Sequence, residues 1–114
     1  MKKLFLPLLL LATSNLFAQA PAITWQNTIG GSDWDDIRTV KQTSDGGYIM
    51  GGDSESGISG DKSEANQGLY DYWIVKLDSL GAIMWENTIG GSENDYCNVV
   101  IETADGGFLA AVTS

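Results

Sequence analysis

The chain has no histidine, one cysteine, and only six lysines and arginines against fifteen aspartates and glutamates. Each scarcity excludes something. Without histidine there is no Ser-His triad, no imidazole general base and no histidine ligand for zinc. The lone Cys97 cannot close an internal disulfide. A formal charge of −9 has the wrong sign for nucleic acid or an anionic membrane, both of which need a positive partner surface. No stretch beyond Pro21 carries apolar residues at helical spacing, so helices are not expected.

The first residues read as an export signal. Lys2 and Lys3 form a positive n-region, Leu4 to Ala12 is a short apolar run broken only by Pro7, and Ala18-Gln19-Ala20 offers small residues for cleavage. The run is too short for a comfortable membrane span. Residues 1–18 are therefore expected to be a signal peptide cut after Ala18, with Ala20 the alternative. The mature chain then has no membrane span and is secreted or held at the cell surface. No cysteine follows the apolar run to carry a lipid anchor. Removing Lys2 and Lys3 takes the formal charge from −9 to −11.

What the chain has in quantity is itself. Residues 23–54 and 83–114, sixty residues apart, align without a gap and are identical at 15 of 32 positions. Trp25 matches Trp85, Asn27–Ser32 matches Asn87–Ser92, Asp35 matches Asp95, and Asp45-Gly46-Gly47 matches Asp105-Gly106-Gly107. A fixed period signals one supersecondary unit used repeatedly, with neighbours needed to bury its apolar face. The repeat region is residues 19–114, with copies at 23–82 and 83–114, the second incomplete.

The unit reads as strands. Ile37–Thr43, Tyr48–Asp53, Tyr72–Asp78 and Ile83–Ile89 are rich in β-branched and aromatic residues and bounded by Gly/Asp/Ser clusters. Trp73, Val75 and Leu77 alternate onto one face. In Thr43-Ser44-Asp45-Gly46-Gly47 the carboxylate can accept downstream N–H groups while glycine supplies positive φ, and Thr103–Gly107 repeats the device. Asp45, Gly46, Gly47, Asp105, Gly106 and Gly107 are thus structural turn residues. Ser54–Asp71 is polar, glycine-rich and without periodicity, a surface loop. Four antiparallel strands per repeat of this length point to an all-β fold of β-propeller blades, with stacked meanders as the rival. With the Trp-bearing strand outermost, Ile23–Ile29 is the last strand of a preceding blade, about 36–90 is one full blade, and strands near Asn98–Thr103 and Phe108–Val112 begin another. About one and a half blades is too few to close a propeller, so a fragment of a longer protein is expected.

These residues resemble a recurrent secreted repeat of Bacteroidetes-type bacteria. The shared pieces are Trp25, Gly30-Gly31-Ser32, Thr43-Ser44-Asp45-Gly46-Gly47-Tyr48 and Asp71-Tyr72-Trp73-Ile74-Val75-Lys76-Leu77-Asp78. The resemblance implies a propeller of the quinoprotein-like kind and export, usually with a type IX secretion sorting domain, which is absent from this chain. It implies no particular activity. Thr43-x-Asp45-x-Gly47 also resembles the core of the Asp-box of sialidase-type propellers, a structural turn, although Met50 and Ala110 stand where that motif has Trp.

Candidate chemistry is sparse. Trp34 lies in an acidic loop, and its counterpart is Asn94, so it is not shared blade packing. With Asp33 and Asp35 it forms the candidate ligand-binding set, able to stack on a sugar or a partner surface; packing over its own loop is the favoured reading of Trp34. Asp35, Asp53 and Asp61 are the candidate metal ligands, with calcium the ion such oxygens would hold and a solvated acidic rim the favoured reading. Asp35 and Asp95 are also expected to cap their turns. Cys97, with Ile37 as its counterpart, reads as a buried packing residue. No carboxylate pair at glycosidase spacing is distinguished, so no catalytic residue is assigned and no enzyme activity is expected. The expected function is a non-catalytic binding or scaffold module with a protein or glycan partner. The alternatives are a carbohydrate-binding accessory protein, or part of a propeller enzyme whose site lies in further blades.

Overall fold

A computed structural model describes residues 2–3 and 17–114. The apolar run of the expected export signal lies outside the described residues. Among those described there is no helix, and hence none long and apolar enough to cross a membrane.

The fold is all-β and antiparallel. Strands β1 (Asp35–Gln42), β2 (Tyr48–Ser54), β3 (Asp71–Leu77) and β4 (Ile83–Ile89) form a meander in the order β1-β2-β3-β4. Strands β5 (Tyr96–Glu102) and β6 (Phe108–Thr113) form a separate two-stranded sheet. β4 has the expected boundaries, and those of the other strands differ from expectation by at most two residues, since pairing rather than composition decides where a ladder ends.

The β1–β2 and β5–β6 turns have the same chemistry. Thr43 N donates to Gly47 O at 2.9 Å and Gly47 N to Asp45 Oδ1 at 2.9 Å. Thr103 N donates to Gly107 O at 2.8 Å and Gly107 N to Asp105 Oδ1 at 3.1 Å. Gly46 and Gly106 both sit at φ 82°, a conformation that side chains with a Cβ resist. Both sheets also carry a bulge at equivalent places, one residue being inserted between Ile37 and Thr39 and one between Cys97 and Val99.

The second sheet lies on the rear face of the first. Cys97 and Val100 pack with Ile49 and Ile74, flanked by Tyr72, Phe108 and Ala110. The front face of the first sheet presents Trp73, Val75 and Leu77, as their alternation requires, against Trp25, Ile29, Tyr48, Met50 and Ile83. Equivalent positions show what stacking does. Cys97 and Val100 are 0% exposed beneath the neighbouring sheet, whereas their counterparts Ile37 and Val40 are 57% and 58% exposed. Ile49 is 0% exposed and its counterpart Leu109, on the outer side of the second sheet, is 57% exposed. Burial of an apolar side chain is worth roughly 1.5–3 kcal/mol, so most of the stabilisation at these positions comes from the junction between sheets.

Polar contacts fasten the same junction. The buried Asp53 accepts from Cys97 N at 2.8 Å and from Arg38 Nε, whose guanidinium lies 5.6 Å from the Tyr96 ring centre. Glu102 accepts from Ser44 N at 2.7 Å and from Ser44 Oγ at 2.8 Å. The Cys97 thiol is pushed up by burial and by the Asp53 charge, which keeps it protonated and unreactive.

One expected strand is not formed. Residues 23–29 lie across the front face without a ladder of their own. Trp25 nevertheless meets Tyr48 at 5.6 Å between ring centres and 59° between planes, and Trp85 meets Phe108 at 5.5 Å and 62°. These two pairs are sixty-residue counterparts. The segment therefore takes the packing position of β4, but among the described residues no β3-type strand lies beside it to receive its backbone hydrogen bonds, and a single strand does not hold a ladder by itself.

Candidate functional site

The candidate residues Asp33, Trp34 and Asp35 lie where the loop 30–34 enters β1, and the long loop between β2 and β3 is zipped to it. Gly30 N donates to Asp61 Oδ2 at 3.1 Å, and Asp61 N returns a bond to Gly30 O at 2.9 Å. Ser32 N donates to Ser59 Oγ and Asp33 N to Ser56 Oγ, both at 2.9 Å. Glu55 N donates to Trp34 O at 2.8 Å. The Trp34 backbone is thus fixed while the residue is 63% exposed. The favoured expectation, that Trp34 packs over its own loop, is corrected. The loop's hydrogen bonds are met by serine, aspartate and backbone groups, and Trp34 stays largely exposed.

Asp35 is a turn cap. Its Oδ2 accepts from Gly31 N at 2.7 Å and Ser56 Oγ at 3.1 Å, and its Oδ1 from Ser54 Oγ at 2.6 Å. Asp95 repeats the principal bond, accepting from Gly91 N at 2.5 Å. The three candidate metal ligands are engaged separately: Asp35 by the Gly31 turn, Asp61 by Gly30, and Asp53 by Arg38 and Cys97 across the sheet junction. Among the described residues no three acidic or cysteine side chains gather as a metal-binding group.

The long loop carries a network that the residue pattern does not announce. Far from being a wholly superficial loop, Ser54–Asp71 buries Ser56 and Lys62, and Lys62 is the largest fully buried side chain among the described residues. Its Nζ donates to Glu64 O at 2.6 Å and Asn66 Oδ1 at 3.0 Å, while Asn66 Nδ2 donates to Ser54 O at 2.7 Å. Glu64 Oε2 accepts from Thr88 N at 2.6 Å, which pins the loop to β4. Glu86 Oε1 accepts from Ser63 N at 3.0 Å and Oε2 from Trp73 Nε1 at 2.5 Å. Burial lowers the Lys62 pKa, against the opposing pull of Glu86, Asp71, Asp35 and Glu64. Burial alone would raise Glu86, but bonds from Ser63 and Trp73 and the charge of Lys62 leave it lowered on balance. The one signal in the sequence is that Lys62 is the single cation in an otherwise acidic loop.

Asp45 is held well below the usual carboxylate range, chiefly by the Thr43 hydroxyl, then by Lys76 and Gly47 N. A depressed carboxylate contributes stability that is present above its unfolded pKa of about 3.9 and lost as pH falls toward the folded value. Asp105 is lowered in the same direction by Thr103 and Gly107 N. Asp45→Asn is therefore expected to flatten the acid limb of the stability curve. Urea midpoints at pH 6 and pH 3 should differ less in the variant than in the parent, and equal differences would refute the assignment.

A cavity of about 330 Å³ lies on the front face, lined by Ile29, Asp36, Ile37, Met50, Trp73 and Val75 among others. A second, of about 350 Å³, lies between the rear of the first sheet and β6. Neither gathers a nucleophile with a base. No family model, no curated protein and no solved structure matches the chain.

Proposed function

We propose that this chain is an exported, non-catalytic binding or scaffold module assembled from β-propeller blades, of the secreted repeat type that its motifs resemble. The observation that carries the reading is the exposure of equivalent residues. Positions 37 and 40 lie open at the front of the first sheet, while their counterparts 97 and 100, at the front of the second, are buried against the rear of the first. Units that stack front to rear with a constant offset build the face-to-face blade packing of a propeller. The rim formed by Asp33, Trp34 and the Ser54–Asp71 loop is then the surface that meets a partner.

Export is tested by expressing the full chain in a Gram-negative host, fractionating the cells and determining the N-terminus. A chain beginning at Gln19 or Pro21 outside the cytoplasm is expected. Cytoplasmic protein that retains Met1 overturns the export reading. Exposure of the Trp34 indole favours one alternative, a carbohydrate-binding accessory protein, because a fixed loop with a free ring can stack on a sugar face. On a glycan array, Trp34→Ala should then lose binding by roughly tenfold or more, the weight of one well-placed aromatic contact. Identical profiles for parent and variant would remove this alternative and leave a protein partner.

A further inference from the structure

β2 and β6 occupy the same place in their units, but only β2 is paired on both sides. β3 lies along its second edge in the register Tyr48↔Leu77, Ile49↔Lys76, Met50↔Val75, Gly51↔Ile74 and Gly52↔Trp73. Among the described residues β6 pairs with β5 alone, so its outer edge presents unpaired backbone donors and acceptors.

Two further features lie beside that edge. The first is the cavity of about 350 Å³, lined by Tyr72, Ile74, Trp85, Ile89, Phe108 and Ala110. In the first unit the counterparts of the last four, namely Trp25, Ile29, Tyr48 and Met50, surround the Trp73–Val75 side of β3. The cavity walls therefore repeat the surroundings of Trp73 without an indole between them. The second feature is Asp105. Its counterpart Asp45 pairs with Lys76 of β3, with Nζ 2.9 Å from Oδ2. Asp105 accepts from Thr103 Oγ1 at 2.5 Å and Gly107 N at 3.1 Å, and no lysine or arginine pairs with it among the described residues.

We propose that the β6 edge captures an extended antiparallel strand of Trp-x-Val-Lys-Leu chemistry, supplied by another polypeptide segment. Its Trp and Val enter the 350 Å³ cavity and its Lys meets Asp105. The register follows from β2 and β3: the Trp opposite Val112, the Val opposite Ala110, the Lys opposite Leu109 and the Leu opposite Phe108. Main-chain bonds supply the attachment, and alternate side chains with the lysine supply selection, as in strand addition generally. The proposal deepens the blade reading above and rests on it for the equivalence of β2 and β6.

The probe is a blocked synthetic peptide of sequence 70–78, added to the full chain. Hydrogen exchange should slow at the amides of Phe108–Thr113 and stay unchanged in β1. The same peptide with Trp→Ala should bind at least about tenfold more weakly, and with Lys→Glu about tenfold more weakly through repulsion from Asp105. Asp105→Asn should weaken the parent peptide but leave a Lys→Ala peptide unaffected. Unchanged exchange at β6 under saturating peptide, or equal affinity of the Trp→Ala peptide, overturns strand capture. So does protection that appears instead in the first sheet, or that tracks chain concentration rather than peptide. Such a failure leaves the export and rim-binding tests untouched, so the two readings fall separately.

Discussion

Lys62→Ala is expected to lower the melting temperature by roughly 12–24 °C. The ammonium is buried with two acceptors, Glu64 O and Asn66 Oδ1, and the carboxylates of Glu86, Asp71, Asp35 and Glu64 act on it. Deleting one member of a buried charged network costs about 3 kcal/mol or more, because the remaining groups are left without compensation. In a domain near 100 residues each kcal/mol moves the midpoint by about 4–8 °C. Lys62→Met separates charge from volume. It keeps the aliphatic stem and removes the donor, so it should recover only the packing share. Calorimetry of the three proteins at one pH decides the matter. A melting temperature within about 3 °C of the parent for Lys62→Ala, less than 1 kcal/mol by the same conversion, would mean that the loop is not anchored through this residue.

Gly52→Ala is expected to be the most damaging single-methyl change in the chain. A Cβ there would overlap Asp36 O and stand 3.0 Å from Ile37 Cα, both on the neighbouring strand β1. Neither can swing aside as a flexible side chain can, so β1 must separate from β2 near its bulge. A cost of about 4 kcal/mol or more follows, at the exceptional end of single substitutions. Gly57→Ala is the control: nothing lies within 4 Å of the place its added methyl would take, and a change within about 0.5 kcal/mol is expected. Urea unfolding of both variants tests the pair. Equal midpoints for Gly52→Ala and Gly57→Ala would show that β1 yields without strain. The counterpart of Gly52 is Val112, which carries a full side chain on the same β6 position, so the two units do not share this close approach.

Much of this fold is legible in the residues because its determinants are local. Alternation in Trp73, Val75 and Leu77 chooses a face, and Asp-Gly-Gly closes a hairpin with its own side chain and φ. Each acts within a few residues. The failures are non-local. Residues 23–29 have the composition of β4 and its packing contacts, but a ladder needs a neighbour that composition cannot provide. Lys62 reads as a solvated charge, since lysine is seldom buried; carboxylates from elsewhere in the chain, Glu86, Asp71 and Asp35, join its loop partners around the ammonium. Of the candidate site, Asp35 as a turn cap is legible from its duplication in Asp95. The exposure of Trp34 is not, because groups distant in sequence satisfy its loop and leave the residue largely exposed.

The tie at the sheet junction has a consequence for order. Asp53 holds Cys97 N and Arg38 together, but the residues at the corresponding places one period later are Thr113 and Asn98. A threonine cannot receive a guanidinium as a carboxylate does, and an asparagine has no charge to offer. The two units are therefore not interchangeable parts. The junction between the two sheets carries its own address, and a gene in which the copies were shuffled would bring together faces of the right shape with the wrong fastening.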